Sequence, residues 1–175
     1  MATKQVIDVL KPLLQSCLIA GTKAHESGLT VSIDRQEDEL IYFFHTDCGE
    51  GNRCLGMNKP EKEKCNDYLV FYNKEKSINE VFCLLELKGK DIQRAKQQVI
   101  NTHEYISALL KDKISRTQMQ NLIWSVYICL SNSAPQETQR VQNELAALFG
   151  KGRVGIKTVV KKDTTNFALF LRKLG

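Results

Sequence analysis

Apolar residues at Val6, Ile7, Leu10, Leu13, Leu14, Cys17 and Leu18 recur at helical spacing. They predict a helix over residues 5–20 that Pro12 kinks or splits. The period then changes. Residues 29–33 (LTVSI) alternate, a charged RQEDE run follows, and 40–44 read LIYFF. This predicts a hairpin, or a strand with a charged approach. Residues 46–66 are polar and carry Gly49, Gly51, Gly56 and Pro60, which marks a connection longer than most. Two short apolar runs, DYLVFY (67–72) and VFCLLELK (81–88), flank the charged turn NKEKSINE and predict an antiparallel pair. Residues 91–110 predict a helix with Ile92, Ala95, Val99 and Ile106 on its apolar face and Asp91 favouring its N-terminal dipole. NLIWSVYICL (121–130) predicts a central strand, and 136–149 a second long helix stopped by Gly150. Residues 154–160 and 166–171 predict two final strands. The order implies an α/β fold in which helices flank a mixed β-sheet, with a C-terminal helix and two strands after the core.

Length fits one domain over residues 1–175, with no composition break that would mark a linker. No apolar run approaches the roughly 18 to 20 residues that cross a bilayer. Asp8, Lys11 and Gln15 interrupt the N-terminal pattern, which reads as an amphipathic helix rather than a signal peptide. A cytoplasmic chain with no membrane association is therefore expected, and its six cysteines are expected to be reduced thiols. The net charge of +5 is unevenly spread. Residues 151–175 hold seven Lys/Arg against the single acid Asp163. That basic end suits nucleic acid, with Lys157, Lys161, Lys162 and Arg172 as candidate phosphate contacts, or else it is a lysine-protected edge.

The candidate chemistry lies where the apolar run of 81–85 stops. Residues two apart on a strand face the same side, so Glu86 and Lys88 project together. If 67–72 and 81–88 pair as a hairpin, Asp67 lies beside them. Two adjacent carboxylates repel and favour a shared cation. An all-oxygen donor set suits Mg²⁺ or Mn²⁺. A cation held there can polarise a phosphoryl oxygen and acidify a water. Lys88 can orient that water or stabilise developing charge. These are the parts of metal-assisted phosphodiester hydrolysis.

Asp67, then Glu86-Leu87-Lys88, then a helix bearing a glutamine resembles the PD-(D/E)xK nuclease superfamily over roughly residues 5–130. The resemblance implies a restriction-endonuclease-like core of helix, three strands, helix and strand (αβββαβ). It implies metal ligation by Asp67, Glu86 and the Leu87 carbonyl, catalysis by the Lys88 amine, and support from Gln98, or from Gln97. Gln98 is preferred because it falls three residues after core-facing Ala95. Asn66 stands where the family pattern has proline, and Glu26 is only a weak counterpart of an acidic residue that some branches take from the first helix. The implied activity is a DNA nuclease, acting as a homodimer or beside a partner protein in a prokaryotic defence or mobile-element setting. The alternative is a non-catalytic nucleic-acid-binding or protein-interaction module on the same fold.

His45, Cys48, Cys54 and Cys65 share one stretch but lack a C-x2-C pair, so a zinc or iron–sulfur centre is not expected there. Cys17, Cys83 and Cys129 sit in apolar runs and are expected in the core. No phosphate-binding glycine loop and no G-x-S-x-G elbow occurs.

Overall fold

The computed structural model describes residues 5–48, 64–88, 90–132, 134–159, 161–163 and 165–175. Helix α1 spans Val6–Leu13 and buries Val6, Ile7 and Leu10. It stops one residue after Pro12, and a single 3₁₀ turn follows over Gln15–Cys17. Pro12 thus splits the predicted helix, as its missing N–H requires. The α1 N-terminus is held from a distance: the Val6 amide donates to both oxygens of Glu80, at 3.1 and 2.8 Å.

Five strands form the main sheet: β3 (Glu39–His45), β4 (Tyr68–Lys74), β5 (Glu80–Lys88), β6 (Leu122–Leu130) and β7 (Val154–Thr158), in that spatial order. The β3–β4 and β4–β5 pairs are antiparallel, and the β5–β6 and β6–β7 pairs are parallel. Helices α2 (Ile92–Leu110) and α4 (Pro135–Phe149) make the two parallel crossovers, with short α3 (Arg116–Asn121) leading into β6. A second, smaller mixed sheet contains β1 (Lys23–Glu26), β2 (Leu29–Ser32) and β8 (Lys162–Asp163). Helix α5 (Asn166–Leu174) closes the chain.

The two faces of the main sheet bury different partners. Leu69, Phe71, Phe82, Leu84, Val126 and Ile128 face α1, α2 and α4. Val70, Tyr72, Val81, Cys83, Leu85 and Tyr127 face the small sheet and α5. Burial on both faces explains why β4, β5 and β6 read as unbroken apolar runs rather than as alternation.

Some expectations change. The 29–33 run does not pair with 40–44; its partner is β1, joined through Ser27 and Gly28, both at positive φ (53° and 75°). That is the two-residue turn whose twist matches a hairpin. The segment 166–171 is helix, not strand. Phe167, Ala168 and Leu171 are buried while Leu169 is 59% exposed, a helical distribution that a short apolar run does not distinguish from a strand. Asp163 starts this helix, its Oδ1 accepting from the Asn166 amide at 2.9 Å. The other predicted strand of that pair is β7, which ends at Thr158. Among the described residues, no helix is long and apolar enough to cross a membrane.

Candidate active site

The antiparallel register of β4 and β5 pairs Tyr68 with Leu85, so the next positions outward, Asp67 and Glu86, meet across the strands. Glu86 and Lys88 continue the row of Phe82 and Leu84 toward α2, because alternate residues share a face. Bonds lock the meeting. The Asp67 amide donates to Glu86 Oε2 at 2.9 Å, and the Leu87 amide donates to Asp67 Oδ2 at 2.7 Å. Lys88 Nζ lies 2.8 Å from Glu86 Oε1. The Glu86 side chain is fully buried, whereas that of Lys88 keeps 19% of its surface.

Such burial disfavours charge. Burial, and after it the neighbouring Asp67 charge, push Glu86 above the ordinary carboxylate range, against the pull of Lys88. Asp67 is raised as well, by burial first, with Glu26 and Asp47 adding to the effect. Burial works against the Lys88 ammonium, but Glu86 and Asp67 outweigh it, so Lys88 stays protonated above its usual range. Asp47 is also raised by burial, while Lys64, Lys88 and His45 oppose the shift.

The segment before Asp67 is tied to α2. Gln98 Nε2 donates to the Cys65 carbonyl at 2.6 Å, and the Asn66 amide donates to Thr102 Oγ1 at 2.8 Å. Asn66 Nδ2 bridges the carbonyls of Tyr68 and Leu85, fastening the β4 and β5 ends together. Two buried acceptors here, Asn66 Oδ1 and Gln98 Oε1, take no hydrogen bond from the described residues, and Glu86 Oε1 has the Lys88 ammonium as its partner. Unsatisfied buried acceptors in a native fold call for a water or an ion.

Asp67, Glu86 and Lys88 therefore come together, while Gln98 is tied to the backbone two residues before Asp67. Glu26 closes β1 rather than lying on a helix, and it acts electrostatically on Asp67. Asp47 was not singled out from the sequence. The signal for it was available: it lies two residues beyond the end of β3, which pairs with the start of β4 through His45 and Tyr68. His45 stacks on Tyr68 with ring centroids 4.8 Å apart. Burial raises the Cys65 thiol to about 12, which keeps it from acting as a thiolate. Cys54 lies outside the described residues. Cys17, Cys83 and Cys129 are core residues.

The basic end is not one patch. Lys157, Lys161 and Lys162 are exposed, the first on β7 and the others at β8. Arg172 is engaged within the fold. Its Nε lies 2.6 Å from Glu39 Oε1, and its Nη2 reaches Glu39 Oε2 at 3.0 Å and the Asp34 carbonyl at 2.8 Å. It ties α5 to β3 with a forked pair on a buried carboxylate. Compared with family models, curated proteins and solved structures, the chain matches none at a significant level.

Proposed function

We propose that the protein is a Mg²⁺- or Mn²⁺-dependent nuclease of PD-(D/E)xK type, acting on DNA. The observation that carries this reading is the meeting of Asp67 and Glu86, 19 positions apart, in one buried, hydrogen-bonded cluster with Lys88. The cluster is poorly stabilised as it stands. Two carboxylates share a low-dielectric site, and among the described residues the Lys88 ammonium is the partner recorded for Glu86 Oε1. A hard divalent cation resolves that imbalance, and the donors fit it: carboxylate and carbonyl oxygens from Asp67, Glu86 and Leu87, with water completing the shell. Among the described residues no three His, Cys, Asp or Glu side chains group to hold a metal, and a hard cation held by two carboxylates needs no third such side chain. The run α1, β3, β4, β5, α2, β6 supports the same reading, with the β1–β2 hairpin set between α1 and β3.

When bound, the cation would polarise a phosphoryl oxygen and lower the pKa of a water. Lys88, kept charged by Glu86, would stabilise the charge that builds on the phosphate. Gln98 would act through Oε1, because its Nε2 is engaged by Cys65. The exposed lysines of β7 and β8 would follow the backbone of the substrate.

The test compares wild type with Lys88→Ala on plasmid, single-stranded DNA and RNA in Mn²⁺. Cleavage by wild type and a loss of about 100-fold or more in the variant are expected. Equal cleavage by both proteins assigns the activity to a contaminant and refutes the proposal. Salt-dependent binding without cleavage by either protein would leave the non-catalytic binding module as the function.

A further inference from the structure

We propose that Thr102 is a positioning residue for Asp67, acting through Asn66. This rests on the reading of Asp67 and Glu86 as a cation site. Residues 64–66 adopt no helix or strand, yet Cys65 and Asn66 are fully buried. A buried irregular segment keeps its place only if its backbone groups are paired individually. Here the partners come from two sides. Thr46 Oγ1 donates to the Asn66 carbonyl at 2.6 Å, while α2 supplies Gln98 to the Cys65 carbonyl and Thr102 to the Asn66 amide.

The Thr102 contact is directional. Its hydroxyl has one hydrogen, and that hydrogen goes to the Gln98 carbonyl at 2.9 Å. The oxygen is left to accept, and it accepts from the Asn66 amide. Thr102 is fully buried, with the Cys65 thiol as a further neighbour of its hydroxyl, and a proline at position 66 would offer no N–H. Asn66 then sets its neighbour. Its side chain pins the carbonyls of Tyr68 and Leu85, and the next amide, that of Asp67, holds Glu86 Oε2. Asp67 Oδ2 in turn is held by the Leu87 amide. A shift of Asn66 is thus passed to both carboxylates within one residue. Outer contacts of this kind orient metal ligands, and their loss weakens metal binding although they never touch the ion.

Thr102→Val keeps the shape and removes the acceptor, and Thr102→Ser keeps the hydroxyl. Two quantities are measured on each folded protein: Mn²⁺ affinity by calorimetry, and hydrogen exchange of the Leu87 amide relative to the interior amides of β5. Thr102→Val is expected to weaken Mn²⁺ binding about 10- to 100-fold and to speed Leu87 exchange selectively. Thr102→Ser is expected to behave as wild type on both. Leu145→Ala, a cavity in α4 away from the site, is expected to lower stability while leaving Mn²⁺ affinity and the exchange ratio unchanged. Wild-type affinity in Thr102→Val, an unchanged Leu87 ratio, or failure of serine to restore either quantity would overturn the proposal. If wild type itself takes no Mn²⁺, the cation reading fails, and the Leu87 ratio alone decides whether Thr102 positions Asp67.

Discussion

Raising the pH from about 5.5 to about 8 in the presence of EDTA is expected to destabilise the protein, and Mn²⁺ is expected to reverse the loss. Asp67 and Glu86 both have folded pKa values above the ordinary carboxylate range, because burial and mutual repulsion disfavour their charges. Between the ordinary range and the raised values, the folded state keeps protons that the unfolded chain has released. Stability is therefore fully present at low pH and falls as pH rises through the raised values. If the folded pair keeps on average about one proton that the unfolded chain releases over this window, the loss between pH about 5.5 and about 8 is about 3 kcal/mol. For a chain of this size that is a drop in Tm of about 6–12 °C. Mn²⁺ at about one hundred times its dissociation constant restores about 2.7 kcal/mol. Glu86→Gln isolates the effect from Glu80, which is also raised, and from His103, which burial lowers. The glutamine still offers an oxygen to the Asp67 amide and removes the buried charge. Its melting curve in EDTA should depend less on pH than that of wild type, and its Mn²⁺ shift should vanish. Differential scanning fluorimetry across pH, with and without Mn²⁺, reads all four conditions. Equal pH dependence in the two proteins, or a full Mn²⁺ shift in Glu86→Gln, would refute the reasoning.

Other outcomes follow from the same structure. Arg172→Ala leaves the buried Glu39 carboxylate without its cation, and because Arg172 itself is 27% exposed the expected cost is about 2–3 kcal/mol, read by urea denaturation. Burial alone would raise Glu39, but the Arg172 fork outweighs it and holds its pKa low. That contribution is lost as pH falls through the lowered folded value, and the acid limb of the stability profile should flatten in Arg172→Ala. Gly155→Ala would set a Cβ 2.7 Å from Tyr127 Cδ2, and the ring cannot swing away because its hydroxyl is 2.6 Å from Asp163 Oδ2. A loss of about 1–3 kcal/mol is expected, and an unchanged Tm would show that the ring moves freely. Replacing Lys161 and Lys162 together by alanine should lower the slope of log binding constant against log salt by about 1 to 2 if both contact phosphates. An unchanged slope would assign them to solubility.

The sheet's inner strands, the two long helices and the Asp67–Glu86–Lys88 cluster were legible along the chain. Strands buried on both faces produce long apolar runs, and the charged turn between 72 and 81 leaves an antiparallel pair as the only short connection. Once that pair exists, strand geometry brings Asp67 opposite Glu86 whatever else the chain does. The β1 strand was not legible, because only Ala24 of KAHE is buried and no period announces it. The last helix was misread because six residues of apolar bias carry no length by which to separate helix from strand. The pairing of Arg172 with Glu39 was out of reach of composition. Its partner Glu39 lies 133 residues away, and a basic C-terminal segment looks the same whether a side chain faces solvent or a buried carboxylate. The same holds for Asn66 and Thr102. They read as ordinary polar residues until packing removes them from water and makes the Thr102 oxygen the acceptor for the Asn66 amide. Local spacing determined which residues could share a face. Only the tertiary structure, by excluding solvent, decided which polar groups had to pair.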